Sequence, residues 1–435
     1  MSDMYQSFIF KSYVFDEGNK KLFLNYSFDN KLDFTEEYTF DFIYTDYDRA
    51  VLDRALQNLF FMAGISYFKA YAPKKIQIES GKIDNYLADF FSKTYSKGLG
   101  EFWYVNKLDP YTKVTFPANC EIINPLNKGS RGGQLIGIGG GKDSLVVAES
   151  IKEKHLDNAC TWEVNHYSQL SSLVERIETK NYFVNRKIDS RLLDLNSQGA
   201  LNGHVPLSAI LSMIGVVLSV LTGNQDIVVG NEKTASEPDI NYRGVAINHQ
   251  YSKSLEYEKD CQAMLNHCFG DSIRYYSILR PITELRTAEI FANKYFEKYK
   301  DVFSSCNRAY TLHSDHLFWC GECPKCAFVY LIFCPFIDET ELNSLWRGKN
   351  LLRDSLLEPV YRSLLGIEGD RPLDCVGEVK EARAAMRLAT AKMPFLKEKY
   401  VFELPDDYDY KQIGESLAPE PFQTEFRDYL NSLEF

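Results

Sequence analysis

Apolar positions along the chain follow first a period of two, then short runs separated by helical patterns, then mainly helical spacing. Near the N-terminus, Phe23-Leu-Asn-Tyr-Ser-Phe28 and Glu37-Tyr-Thr-Phe-Asp-Phe-Ile-Tyr44 alternate as half-buried antiparallel strands do. A helix-period segment follows over Tyr47–Tyr71, and Pro73 opens a polar stretch. Together these predict an N-terminal α+β domain over residues 1–125, which either recognises substrate or caps the rest. Between about 130 and 235, strand-like runs at Leu135–Ile138, Ala159–Asn165, Tyr182–Ile188 and Asp226–Gly230 are spaced by helical patterns, the strongest being His204–Leu221. Strands alternating with helices predict an α/β domain over residues 126–255, a doubly wound parallel sheet that binds ligands at the carboxyl ends of its strands. That rule gathers Gly139–Ser144, Glu163–His166 and Gly230–Lys233 around one crevice.

Residues 256–435 read as a mostly helical C-terminal region. The patterns fall near Glu258–Phe269, Ile282–Tyr299, Lys325–Phe336, Glu339–Leu345, Leu351–Leu365 and Glu378–Lys392. The acidic, aromatic stretch Asp406-Asp-Tyr-Asp-Tyr410 reads as a solvated tail.

Composition narrows the function classes. A chain of 435 residues with 45% hydrophobic and 25% charged content is long enough for two or three domains with a sizeable core. A net charge of −11 disfavours nucleic-acid and anionic-membrane partners, while local basic sites for an anionic small substrate remain compatible with it. The longest apolar run, Val205–Leu221, is broken by serines and too short for a bilayer, so it reads as a buried helix. No basic-then-apolar leader opens the chain, and ten cysteines without one suggest reduced thiols, metal binding or catalysis. A cytoplasmic location is expected, and no pattern specifies an oligomeric state.

The chemistry centres on Gln134-Leu-Ile-Gly-Ile-Gly-Gly-Gly-Lys-Asp-Ser144. A strand, three consecutive glycines (Gly139, Gly140, Gly141) and a helix start let backbone N–H groups approach a phosphate. Lys142 adds a cation for phosphate, Asp143 a carboxylate for Mg²⁺ and Ser144 a hydroxyl. The bland alternative is a tight strand-to-helix turn that holds nothing. The stretch is not a Walker loop, because no Gly-Lys-Ser/Thr stands at that spacing.

Three further clusters carry candidate chemistry. His204, after the Asn202-Gly203 turn, either touches an anion or belongs to a helix-capping segment. The stretch 230–256 is dense in functional side chains. Asn231, Glu232 and Lys233 leave the fourth strand, and Arg243, Asn248, His249 and Lys253 follow, which suits a ligand-binding loop. Cys320, Cys323 and Cys326 at C-x₂-C-x₂-C spacing, with Cys306, fit a closed zinc site. An iron–sulfur cluster, unligated thiols and simple packing compete, and His313 and His316 are substitute ligands.

The glycine stretch resembles the Ser-Gly-Gly-x-Asp-Ser signature of the PP-loop ATP pyrophosphatases (N-type), which split ATP into AMP and pyrophosphate. Gly139 stands where that family has its first serine. A wider set is similar to the UDP-N-acetyl-α-D-muramoyl-L-alanyl-L-glutamate epimerase family: Gly139–Ser144, Asn202–Pro206, Asn248–Ser254, Ser305–Arg308, Cys320–Cys326 and Cys375-Val-Gly-Glu378. The resemblance implies a PP-loop fold, ATP and Mg²⁺ as cofactors, possible structural Zn²⁺, and a nucleotide-sugar dipeptide substrate. It implies that Gly139–Ser144, Asn231 and Glu232 hold the nucleotide, with Asp143 on the metal and Lys142 on the leaving pyrophosphate. His204, Lys233, Arg243, Asn248 and Lys253 would meet the substrate, and His249, Cys306 and Cys320 are candidate acid/base groups. If the cluster binds zinc, Cys306 and Cys320 are ligands rather than bases. Shorter 7-cyano-7-deazaguanine synthases, tRNA thiolases and a non-catalytic nucleotide-binding module are the alternatives.

Overall fold

The computed structural model describes all residues except 1–3, 43, 45, 128, 130, 131, 156, 157, 166, 311–313 and 315. His166 and His313 therefore lie outside the described residues. The strands are β1 (Ser7–Asp16), β2 (Lys21–Phe28), β3 (Leu32–Phe40), β4 (Lys75–Ile78), β5 (Gln134–Gly137), β6 (Ala159–Val164), β7 (Lys180–Lys187) and β8 (Asp226–Val229), then β9 (Ile240–Tyr242), β10 (Val245–Ile247) and β11 (Arg274–Ser277). Nine of them form one mixed sheet in the order β11-β8-β5-β6-β7-β3-β2-β1-β4, and β9 and β10 pair as a separate hairpin.

The half of the sheet from β11 to β7 is parallel throughout. Its order reverses between β5 and β8, and such a reversal opens a crevice beyond the strand ends. Both faces are covered, as parallel strands require. Leu135 of β5 and Ile227 of β8 face a core shared with helices Arg49–Ala63, Leu207–Thr222 and Leu255–Phe269. Their neighbours Ile136 and Val228 face the opposite core, with helices Lys142–His155, Glu284–Ile290 and Pro324–Phe333. Period-2 alternation thus separates two apolar layers through short strands that read as uniformly apolar.

The strands of residues 7–40 extend this same sheet, because β3 pairs antiparallel with β7. The join is pinned by charge: Arg186 on β7 donates to Glu36 on β3 at 2.7 Å and to Ser66 at 2.9 Å, all three buried. Four strands at the other edge and the helices Arg49–Ala63 and Asn85–Gly98 close an aromatic core around Phe8, Phe10, Tyr26 and Phe60.

Two regions depart from the sequence reading. β11 interrupts the region expected to be helical, and the stretch 282–299 is helix Glu284–Ile290, a π-helical turn Phe291–Tyr295 and a last turn Phe296–Tyr299. The tail is a correction: it packs onto the body instead of standing in solvent. The Tyr410 carbonyl accepts from Thr283 Oγ1 at 2.9 Å, and Gly414 N–H donates to the Pro281 carbonyl at 2.7 Å. A final helix, Phe422–Asn431, then buries Phe422, Phe426 and Leu430. Those three positions recur at helical spacing, a pattern that the acidic stretch just before them masks.

Candidate active site

The glycine loop lies at the reversal point of the sheet, between the end of β5 and helix Lys142–His155. Gly140 has φ +81°, and a Cβ there would lie 2.1 Å from Tyr310 Oη, so only glycine fits. The side of the loop facing Tyr310 is covered by residues 303–310, tied on by Ser304 N–H to the Gly140 carbonyl at 3.0 Å and by Tyr310 Oη to the Gly139 carbonyl at 2.8 Å. A Cβ built at Gly139 would meet nothing within 4 Å, so the loop is open there. Backbone at a helix start with one open side is the shape a phosphate needs.

Beneath the loop sits a buried charge cluster. Glu284 opens helix Glu284–Ile290 behind the Thr283 cap, and Lys325 sits one residue into helix Pro324–Phe333. One Glu284 oxygen accepts from Lys142 Nζ at 2.7 Å and from Lys325 Nζ at 3.0 Å, and Lys142 also reaches Asp143 at 2.7 Å. Burial alone would raise the Glu284 carboxyl, but the two ammonium groups pull it down to about 2. Glu232 goes the other way, to about 7, through burial and then the charges of Glu284 and Asp143. Asp143 lies close enough to Glu232 to bear on its charge, and hard oxygen donors placed together suit a divalent cation. Asp143 and Glu232 therefore fit Mg²⁺.

A second array adjoins the first. His249 Nδ1 is hydrogen-bonded to a Glu101 carboxylate oxygen, and its Nε2 lies 3.7 Å from Cys375 Sγ. Lys253 Nζ is 3.3 Å from the same sulfur. The His204 ring lies tilted against that of His249 at a separation of 4.3 Å, and His204 is 3.8 Å from Glu101. Burial would lower the His249 pKa, but Cys375 and Glu101 push it up to about 10. Burial would raise the Cys375 thiol, but Lys253 and His249 draw it down to about 6. At neutral pH the two are thus a thiolate–imidazolium pair. His204 is held neutral, down at about 4, by burial and by the His249 charge. Lys325 lies within reach of the charges of Glu284, Asp143 and Cys375, so the two arrays are neighbours.

The segment 230–254 is held by buried Arg280. Its guanidinium pairs with Glu258 at 2.8 Å and donates to the carbonyls of Glu232 at 2.8 Å and Lys253 at 2.6 Å. His249 N–H donates to Asp239 at 2.6 Å, and Arg371 fixes Asp239 from the other side at 2.9 Å. One arginine therefore sets two functional side chains through their own backbone.

Cys306, Cys320, Cys323 and Cys326 converge, their sulfurs all within 4.8 Å of one another. Backbone N–H groups of Gly321, Glu322 and Cys326 each donate to a cluster sulfur at 3.4 Å. Four convergent thiols with N–H donors to sulfur fit a tetrahedral zinc site.

The family models of two domains match: the MurL N-terminal domain over residues 1–278 and the MurL C-terminal domain over residues 302–416. The chain belongs to the MurL family. Three relatives carry the name UDP-N-acetyl-alpha-D-muramoyl-L-alanyl-L-glutamate epimerase. The one from Micromonospora sp. is 35% identical over 88% of this chain and 86% of its own. That from Salinispora tropica is 36% identical over 88% and 84%, and that from Xanthomonas oryzae pv. oryzae 35% over 85% and 82%.

Within this MurL-family fold, the sequence-marked residues divide. Lys142, Asp143 and Glu232 meet at the charge cluster, and His204, His249 and Lys253 meet around Glu101 and Cys375. Ser144 Oγ turns back to the Gly141 carbonyl at 3.0 Å, and Asn231 is engaged with Ser277 through its backbone at 2.9 Å. Asn248 is spent on the Ala235 carbonyl at 3.0 Å and the Gln250 N–H at 2.6 Å. Lys233 is exposed, and Arg243 lies exposed at the tip of the β9–β10 hairpin. Glu101 and Glu284 carried no local signal, and Lys325 and Cys375 stood only as parts of motifs.

Proposed function

We propose that this protein inverts the terminal glutamyl α-carbon of UDP-N-acetyl-α-D-muramoyl-L-alanyl-L-glutamate after activating the neighbouring carboxylate with ATP. One observation carries the reading: an open glycine loop over Lys142, Glu284 and Lys325 adjoins the Glu101–His249–Cys375 array. The first array handles phosphate, and the second handles protons.

The chemistry explains why both are needed. An α-proton beside a free carboxylate is weakly acidic, because its loss puts a second negative charge next to the first. Adenylation neutralises the carboxylate and makes the α-carbon acidic. The strand–glycine–helix geometry supports the PP-loop reading, with AMP and pyrophosphate as products. Asp143 and Glu232 hold Mg²⁺, which offsets triphosphate charge when bound. Lys142 stands under the loop for the leaving pyrophosphate. Ser305 lies alongside the loop, its Cβ 3.1 Å from where a Gly141 Cβ would be. Zinc at the four thiols supports both neighbouring contacts: Cys306 anchors residues 303–310 against the loop, and Cys323 and Cys326 flank Lys325. That role makes Cys306 and Cys320 ligands. His249 remains a proton-handling group, and the substrate and ATP place the reaction in the cytoplasm.

The test is incubation with ATP, Mg²⁺ and the L-glutamyl substrate in D₂O. Pyrophosphate release together with deuterium at the glutamyl α-carbon is expected. AMP formation with no deuterium would sink epimerisation in favour of another adenylating activity, and no AMP from folded protein would favour a binding module. Asp143→Ala should abolish AMP formation.

A further inference from the structure

We infer that Cys375 is a nucleophile: it takes the activated glutamyl acyl group from AMP, and inversion proceeds on a Cys375 thioester. The inference rests on the ATP-activation reading above and adds a covalent step to it.

Geometry separates this role from that of a second acid/base group. Two groups that exchange protons on opposite faces of one carbon must flank it, each within about 3 Å and hence about 6 Å apart. His249 Nε2 and Cys375 Sγ are 3.7 Å apart, in direct contact, with no room for a carbon between them. Their arrangement is instead nucleophile, base and orienting carboxylate in sequence: sulfur, imidazole, then Glu101 on the far ring nitrogen. Lys253 Nζ at 3.3 Å favours the ionised sulfur and places a cation where a carbonyl oxygen would gain negative charge. The thiol's drop to about 6 agrees with an ionised resting state.

The step balances without an added reagent. The thiolate attacks the acyl-adenylate carbonyl, a C–S bond forms, the C–O bond to the phosphoryl group breaks, and AMP leaves with that oxygen. Sulfur donates poorly into the carbonyl, so the thioester α-proton stays acidic after AMP has gone. A base takes that proton, and one from solvent returns on the opposite face. Water then cleaves the C–S bond, releasing the D-glutamyl carboxylate, the thiolate and two protons. Splitting the reaction this way keeps the activated carbon tethered through inversion.

The experiment is acid quench of the enzyme with ATP, Mg²⁺ and substrate from milliseconds to minutes, followed by intact and peptide mass spectrometry. The expected result is an adduct of the substrate acyl mass on Cys375, released by neutral hydroxylamine as a hydroxamate and absent in Cys375→Ala and Cys375→Ser. Deuterium entering the product with no adduct at any time would overturn the inference, and so would exchange at the wild-type rate in Cys375→Ala. Absence of pyrophosphate in the wild type would instead overturn the activation reading beneath it. Glu101, His204 and His249 also lie within 4.8 Å of one another, so metal content is measured alongside. Loss of one zinc per chain on His249→Ala would make them a metal site and overturn the covalent role.

Discussion

Glu284→Gln removes the one carboxylate that two buried lysines share. Lys142 and Lys325 side chains are 3% and 7% exposed, and Glu284 2%, so water screens none of the three effectively. Both ammonium nitrogens lie within 3.0 Å of the same oxygen, which holds them no more than about 6 Å apart. With the charge gone, at an effective dielectric near 20, they repel by about 3 kcal/mol. Breaking a buried ion pair from one side generally costs about 3–5 kcal/mol, so a loss in that range is expected. Urea unfolding at pH 7 measures it. Lys325→Met in the Glu284→Gln background should regain about 3 kcal/mol, since it removes one of the two like charges. Pyrophosphate should stabilise Glu284→Gln more than the wild type, because the anion replaces the lost carboxylate. The sign with pH follows from the lowered carboxyl: its contribution is complete above pH 4.5 and disappears as pH falls through about 2. A Glu284→Gln midpoint equal to the wild type, with equal pyrophosphate stabilisation, would refute the shared-carboxylate account.

Gly140→Ala forces a side chain into φ +81° and onto Tyr310, so ATP affinity in a binding titration should fall at least about tenfold (~1.4 kcal/mol); wild-type affinity would separate the loop from the nucleotide. Elemental analysis should find zinc in the wild type and lose it in Cys323→Ser, whose melting temperature should also fall; unchanged zinc content would argue against that ligand set. Alkylation of Cys375 by iodoacetamide should reach half its plateau rate near pH 6, since Lys253, His249 and Lys325 favour the thiolate against burial. Lys253→Met should move that midpoint upward, and a wild-type midpoint near the ordinary thiol value of about 9 would refute the ion pair.

The parallel half of the sheet was legible because its strands are short, apolar and spaced by helical patterns. All four expected runs overlap β5, β6, β7 and β8. The joining of residues 7–40 to that sheet was not legible. It depends on β3 meeting β7 across more than a hundred residues and on Glu36–Arg186, a pair that no local pattern announces. β1 and β11 were missed for different reasons. β1 carries Lys11 and Ser12 amid its apolar run, and β11 is four residues with Arg274 at its start. The site divides similarly. Glycines beside Lys-Asp-Ser and cysteines at fixed spacing carry chemistry in their local order, so they could be found. Glu101, Glu284 and Lys325 look like ordinary helix residues, and only the fold brings each to a charged partner.

The four thiols and the charge cluster gain a common logic from this placement. Cys323 caps helix Pro324–Phe333 by accepting from Cys326 N–H at 3.4 Å, and Lys325 lies between those two cysteines. Cys306 follows Ser304, whose N–H holds the Gly140 carbonyl. Two segments that the cluster ties together therefore reach the glycine loop, one directly through Ser304 and Tyr310, the other through Lys325 and the Glu284 carboxylate that it shares with Lys142. A metal there would act on the proposed nucleotide site without touching it, by fixing the distance between the loop and its buried cation. Arg280 does the same on the other flank with no metal, through the carbonyls of Glu232 and Lys253. The array proposed to meet the acyl group thus rests on an arginine-held loop, and the array proposed to meet phosphate rests on the cysteine-held one. Removing zinc should weaken phosphate binding while leaving the Cys375–His249 contact intact, a separation that pyrophosphate titration and Cys375 alkylation on the same metal-stripped sample can read.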